Sequence, residues 1–306
     1  MVQDTLPTTG QVMAVVGLPA APLRRFVLDY RGYRMSLDRP RRRLEVPTDV
    51  VTVALAFEGT MRLTDAVSPA PAVSFGSIAA GLRRTATIAE HAGALHGLAV
   101  SLTPQGAFRA FGPVAGELGG QWAEAGEVLG PRLDRLAARL ADAPTWRARF
   151  ALLDGYFTAL LADGPVWEPD VVWAWHQLRR SRGLVPVRAL VEGTGWSRRR
   201  LEQRFREQLG LAPKQAAGIL RLQRTLRVLT APDGRSARAA DLAALCGYYD
   251  QSHLDRTFRG MVGCSPREFL ASRRAAAATA TAATGLEPVD RLVGRITSAV
   301  LDTDRS

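Results

Sequence analysis

Residues 250–263 read DQSHLDRTFRGMVG, and this stretch predicts one amphipathic helix with a signal at each end. Asp250 is an N-cap candidate, because its carboxylate can accept hydrogen bonds from the free backbone N–H groups of the first turn. Gly263 suits the left-handed position that follows a helix. Apolar positions at helical spacing predict a buried stripe, namely Leu254, Phe258 and Met261. The opposite face is polar and carries arginines.

A shorter apolar helix from 239 to 245 precedes this stretch, and residues 246–249, CGYY, form the turn between them. Two short helices joined by a glycine-containing turn are typical of a DNA-reading helix-turn-helix. The pattern occurs once more, 53 residues earlier, with Val187 to Glu192 as the first helix and Ser197 as the N-cap of the second. The repeated positions are Leu201, Phe205, Gly210 and Pro213 in the first copy and Leu254, Phe258, Gly263 and Pro266 in the second.

From about Val185 to Arg274 the chain resembles the AraC/XylS family of bacterial transcription regulators. The second copy, CGYYDQSHLDRTFRGMVGCSPREFLASRR, carries most of the resemblance, while the first copy departs from it with Gln203 where an arginine is common. The resemblance implies two helix-turn-helix units joined by a long helix from Pro213 to Leu229, whose recognition helices enter successive major grooves. It implies double-stranded promoter or operator DNA as the partner, with RNA polymerase as a further one.

Upstream of this part, short runs rich in Val, Ile, Phe and Thr alternate with Gly, Pro or Asp turns between residues 26 and 104, which predicts an antiparallel sheet or barrel. Residues 98–112, LAVSLTPQGAFRAFG, resemble a segment of the sensor domains of some AraC-type regulators, which implies a β-barrel-like, cupin-like domain. We therefore predict an α+β protein: a β-rich effector or sensor domain at 1–130, a helical linker or dimerisation segment at 131–165, a DNA-binding domain at 166–274 and a tail at 275–306. The first half of the tail is expected to be loosely ordered, and its end to form a short helix around 289–301.

The positive charge of the chain is concentrated in one segment. Residues 176–274 contain 20 Lys+Arg and 8 Asp+Glu, a net of +12, whereas the rest of the chain has 20 and 21, a net of −1. The whole excess belongs to the predicted DNA-binding part, as expected for attraction to phosphates. The basic run at 41–43 lies between strand-like segments and is interpreted as a solvated loop.

The predicted DNA-contacting residues are the exposed positions of the two recognition helices. In the first helix we assign base reading to Arg199, Glu202 and Gln203, with Arg198 and Arg206 nearer the phosphates. In the second helix the assigned residues are Gln251, Ser252, His253, Arg256 and Arg259. Guanidinium to guanine and amide to adenine are the pairings that groove geometry favours.

Other chemistry finds little support in the sequence. His91 and His96 are five residues apart, which fits neither a His-x-His pair nor a helical i, i+4 pair of metal ligands, and no phosphate loop or nucleophile motif occurs. The two cysteines, Cys246 and Cys264, read as packing residues. We predict no enzyme activity, metal or cofactor. Without a membrane-span run or signal peptide, a cytoplasmic location is expected.

Three functions remain open at this point. The leading one is a sequence-specific transcription regulator with a small-molecule effector sensed by the N-terminal domain, as a monomer or a homodimer. The second is an enzyme carrying a DNA-binding tail, which would need a reactive cysteine or metal set outside the helix-turn-helix region. The third is a structural nucleoid protein that binds without sequence preference.

Overall fold

The first part of the chain builds an antiparallel sheet, and most of the remainder is helical. A computed structural model describes residues 12–68, 70–231, 239–283 and 296–301. No helix among them combines the length and the apolar character of a membrane span.

Nine strands form one sheet within the described residues. They are β1 Val12–Gly17, β2 Val27–Glu45, β3 Val51–Glu58, β4 Met61–Asp65, β5 Val73–Phe75, β6 Ile78–Ala80, β7 Thr87–Leu102, β8 Trp122–Glu124 and β9 Ser298–Leu301. The main order is β1-β2-β7-β3-β6-β8, with β4 pairing with β5 and β7, and β9 pairing with β2. The sheet domain is therefore confirmed, but in the described part of the chain the sheet stays open instead of closing into the expected barrel.

Twelve α-helices, all within the described residues, follow or cover the sheet. They are α1 Pro104–Phe111, α2 Val114–Glu117, α3 Ala125–Leu129, α4 Arg132–Asp142, α5 Trp146–Ala162, α6 Pro169–Arg180, α7 Val187–Thr194, α8 Arg198–Leu209, α9 Pro213–Thr230, α10 Ala239–Leu245, α11 Gln251–Val262 and α12 Pro266–Ala283.

The long strand β2 corrects the interpretation of the basic run at 41–43. These arginines are not in a loop, because Arg41 pairs with His91 and Arg43 with Ala89 in β7. A register shift between Leu37 and Arg41 accommodates the intervening proline, which has no N–H to donate. The strand thus continues through a sequence that looks like a turn.

The helical pair predicted for 131–165 is present as α4 and α5, and it packs on the sheet. The rings of Trp146 and Phe150 occupy the space that side chains at Gly32 and Gly17 would need. Tyr30 stacks on Phe150 at 5.6 Å and donates its hydroxyl hydrogen to Asp154 at 2.9 Å. Glycines in β1 and β2 therefore bring α5 close to the sheet.

The C-terminal segment differs from the expected loose tail. Helix α12 continues through the Ala/Thr run to Ala283, and the end of the segment predicted as a helix, 289–301, is the strand β9. Arg43 and Leu44 of β2 pair with Val300 and Ala299. Residues 284–295 and 302–306 lie outside the described residues.

A buried cluster joins the sheet to the second helix-turn-helix. Leu44, Val46 and Ala86 come from the sheet side, and Leu226 and Phe258 from α9 and α11. The N-terminal and C-terminal parts therefore share a core.

Candidate nucleic-acid interface and ligand cavity

The first helix-turn-helix consists of α7, a turn and α8. Gly195 ends α7 in the left-handed conformation at φ 66°, and the Ser197 hydroxyl accepts a hydrogen bond from the Arg200 N–H at 3.2 Å. Leu201 and Phe205 are fully buried, so the opposite face of α8 points outward. The predicted cap and stripe of this unit are confirmed.

The second unit, α10 and α11, has the same construction. The Asp250 carboxylate accepts a hydrogen bond from the His253 N–H at 2.6 Å, and Gly263 ends α11 at φ 84°. Leu254 and Phe258 are buried as predicted. The third member of the stripe is Val262 rather than the half-buried Met261, because i+4 spacing keeps the side chain on the buried face.

On α8 the predicted contact residues form two charge networks. Arg198, Arg199, Gln203 and Arg206 are exposed, and Glu202 is half-buried. Glu202 accepts from Arg198 at 3.0 Å and from Arg206 at 3.4 Å, and the hydrogen bond from Arg198 holds its pKa below the ordinary value. Gln203 donates to Glu207 at 2.8 Å. Side chains assigned to bases and to phosphates therefore contact one another on the surface of α8.

On α11 four predicted residues are exposed, namely Gln251, Ser252, Arg256 and Arg259. Arg256 donates to the carbonyl oxygen of Ser252 at 3.3 Å. His253 is half-buried: its Nδ1 accepts from the Tyr249 N–H at 3.3 Å, and its ring packs edge-on against Tyr248. His253 thus stabilises the turn.

Two features of these units were missed by sequence reasoning. Tyr249 precedes the N-cap of α11 and is 93% exposed, an aromatic side chain presented at the head of a recognition helix. Arg204 bridges Glu168 at 3.1 Å and Glu207 at 2.8 Å, so it ties α8 to the start of α6. The sequence could have singled out Tyr249, because it directly precedes Asp250, the predicted N-cap of α11.

The N-terminal part contacts the end of each recognition helix. After α8, a side chain added at Gly210 would meet the Cα atom of Gly119 at 2.6 Å. After α11, one added at Gly263 would meet the carbonyl oxygen of Ala66 at 2.6 Å. In addition, the Ala86 N–H donates to the Met261 carbonyl at 2.7 Å.

Helix α9, which joins the two units, forms hydrogen bonds with the sheet domain and with the segment before β9. The buried Gln223 amide donates to the Pro47 carbonyl at 2.7 Å and to the Ile296 carbonyl at 3.1 Å. Both contacts fix the helix that sets the spacing of the two units.

A cavity of about 270 Å³ lies against the sheet, just below the ~300 to 1,000 Å³ typical of ligand sites. Much of its wall is apolar, including Met61, Leu63, Ile78, Ala89, Leu95 and Ala99. Its basic side chains are Arg31, Arg43, Arg83 and His91. Burial, followed by the charges of Arg43 and Arg41, lowers the pKa of His91 from 6.5 to about 4. Sequence reasoning did not find this set, because its members lie on separate strands.

Among the described residues, no three His, Cys, Asp or Glu side chains lie where they could hold one metal ion together. Cys246 is buried, and burial raises the pKa of the half-buried Cys264 to about 11. Both thiols therefore sit in packing environments.

Comparison with known proteins identifies the C-terminal region. A helix-turn-helix domain family matches residues 190–272, and no curated protein matches the chain. Among solved structures the chain is similar to ToxT from Vibrio cholerae, with a TM-score of 0.44 and 11% identity over 85% of this chain and 97% of ToxT. It is also similar to the xylose-binding transcription activator XylR, with a TM-score of 0.29 and 21% identity over 36% of this chain and 28% of XylR. A third similar structure is the AraC-like transcriptional activator CuxR, with a TM-score of 0.26 and 15% identity over 72% of this chain and 89% of CuxR. Residues 190–272 are therefore a helix-turn-helix domain of the AraC type.

Proposed function

We propose that the chain reads specific DNA sequences with α8 and α11, and that a small molecule in the sheet cavity controls this binding. The arginine-rich C-terminal part supplies sequence-independent attraction to phosphates, which makes binding strongly salt dependent. Arg199 and Gln203 on α8, and Gln251, Ser252 and Arg256 on α11, are exposed and carry groups that pair with base edges.

Two predicted residues take modified roles in this proposal. Glu202 accepts base donors only after Arg198 and Arg206 turn toward phosphates, so binding exchanges the ion pairs of α8 for contacts with DNA. His253 orders the turn before α11 through Nδ1, and contributes to recognition mainly by holding Tyr249 and Asp250 in place.

One observation carries the proposed control by a ligand: the segments that line the cavity are the segments that contact the DNA-binding domain. Pro47 lines the cavity, and its carbonyl accepts the hydrogen bond of Gln223. Thr85 and Thr87 line it as well, and Ala86 between them bonds to Met261 of α11. A ligand that shifts either segment changes the support of the second recognition helix, so occupancy and DNA affinity are coupled.

The test begins with selection of bound duplexes from a random pool, which should enrich one motif with two half-sites about 34 Å apart. Compounds that raise the melting temperature of the full chain are then added to the binding reaction, and DNA affinity should change ~5- to 150-fold. Ala89→Leu, which fills the cavity, should remove the response to the compound and keep DNA binding. Ala94→Leu adds the same atoms at an exposed position of the same strand, β7, and should keep both.

Each part of the proposal has its own contrary result. Failure to enrich any motif would favour a nucleoid-type protein that binds without sequence preference. An unchanged response in Ala89→Leu would remove the cavity from the control of DNA binding. A compound consumed during incubation would instead indicate an enzyme with a DNA-binding tail.

The proposal includes RNA polymerase as a partner, a cytoplasmic location and a second copy of the chain bound through α4 and α5. The first two are supported by the resemblance to bacterial regulators, whose DNA lies in the cytoplasm. Sedimentation of the full chain with and without selected DNA tests the third, since a monomer bound to the full motif would contradict it.

A further inference from the structure

Most of the arginines in and beside the cavity form ion pairs with carboxylates, but one does not. Three have an ion-pair partner: Arg31 with Asp29 at 3.2 Å, Arg83 with Asp65 at 2.8 Å and Arg43 with Glu45 at 3.0 Å. Arg41 does not line the cavity itself but pairs in the sheet with His91, which does. It is half-buried and, among the residues that the structure describes, belongs to no ion pair. Burial and the neighbouring charge of Arg43 lower the pKa of Arg41. One uncompensated positive charge therefore lies directly beside the His91 end of the cavity.

His91 lies beside Arg41 on the neighbouring strand β7. It pairs directly with Arg41 in the register of β2 and β7, so the two side chains project from the same face of the sheet. His91 is only 6% exposed, it lines the cavity, and its Nε2 atom has no hydrogen-bond partner within the described residues. A buried polar atom without a partner is rare in folded proteins and points to a missing one.

We infer that the cavity binds an apolar monoanion whose carboxylate contacts His91 Nε2 beside Arg41 and Arg43. The rest of the molecule lies along the apolar wall formed by Leu63, Ala89 and Leu95. A single uncompensated positive charge matches a carboxylate better than a doubly charged phosphate. The inference rests on the proposed function, because it names the chemical class of the small molecule proposed there.

The experiment is calorimetric titration of the full chain with paired compounds that differ only in charge. The pairs are benzoate with benzamide, 4-propylbenzoate with 4-propylbenzamide, and octanoate with octanamide, at one pH near 7.5 and one ionic strength. We expect at least one acid to bind ten times or more tightly than its amide. Arg41→Gln and His91→Gln should each weaken that acid about tenfold and leave the amide unchanged, since a hydrogen bond to a charged group is among the strong ones.

Arg39→Gln is the matched control, because it removes the same charge from an exposed position on the same strand. Thermal melting of each variant separates loss of the site from loss of the fold. Equal affinities within every pair would overturn the inference, as would an equal loss in Arg39→Gln and Arg41→Gln. An acid that binds with the expected variant effects but leaves DNA affinity unchanged would keep the anion site and contradict only the proposed control.

Discussion

Gly263 lies where the second recognition helix meets the sheet domain, so Gly263→Ala tests that contact. The residue has φ 84°, and its added Cβ atom would meet the carbonyl oxygen of Ala66 at 2.6 Å. The left-handed conformation costs ~1 to 2 kcal/mol for a residue with a side chain. Overpacking against backbone adds ~1 to 3 kcal/mol. We therefore expect a loss of about 2 to 5 kcal/mol in the free energy of unfolding.

Gly195 supplies the matched control from the first unit. It also follows a helix with positive φ, at 66°, but an added Cβ atom would meet nothing within 4 Å. Gly195→Ala should then lose only the ~1 to 2 kcal/mol of the backbone conformation. The difference between the two variants isolates the contact with Ala66.

Urea unfolding gives the two free energies, and amide hydrogen exchange locates the change. Ala66 donates its N–H to the Ala86 carbonyl at 2.9 Å, and the Ala86 N–H donates to Met261 at 2.7 Å. The Ala86 amide should lose protection in Gly263→Ala and keep it in Gly195→Ala. Equal losses of stability, or unchanged exchange at Ala86 in both variants, would refute the docking of α11 on the sheet.

Three further predictions concern stability and phosphate binding. Phe258→Ala removes a fully buried ring that packs on Phe269 at 6.0 Å, so urea unfolding should report a loss of ~3 to 5 kcal/mol, and a parent-like midpoint would place Phe258 outside the core. Burial lowers the pKa of His91 from 6.5 to about 4 in the folded chain. Between these values the unfolded chain binds more protons, so the free energy of unfolding should fall as the pH drops from 6.5 to 4. The fall in melting temperature from pH 7 to pH 5 should be smaller in His91→Gln than in the parent. Arg198→Ala and Arg206→Ala should each weaken binding to all DNA alike and reduce the salt slope by about 1, whereas an unchanged slope would leave them paired with Glu202.

The sequence predicted the helix-turn-helix units well because their signals are local. The caps Ser197 and Asp250, the glycines that end the helices and the stripe containing Phe258 all lie within one or two turns of the structure they determine. Helical spacing repeats every few residues, so a short window contains the whole pattern.

The sheet and the cavity depend on pairing between distant residues, and a short window cannot show it. β1 was missed in the lead segment, because its partner Arg31 to Met35 defines it. The sequence of β9 alone predicts a helix, and only its pairing with Arg43 and Leu44 makes it a strand. The cavity joins side chains from β2 and β7 whose register is set by the whole sheet. A lone His91 in the sequence therefore looks like a packing residue.

Arg256→Ala separates a protein that reads sequence from one that only attracts DNA. Arg256 is exposed on α11, and its only hydrogen bond among the described residues is to the carbonyl of Ser252, so its guanidinium can turn to a base without breaking an ion pair. A lost base contact should cost ~1 to 3 kcal/mol on the selected duplex and much less on a scrambled one, since only the specific complex contains it. Arg267→Ala, an exposed arginine beyond α11, controls for charge and should affect both duplexes alike. Titrations at one fixed salt concentration decide the matter: equal losses on both duplexes for Arg256→Ala would make it a phosphate contact and remove base reading from this position of the second unit.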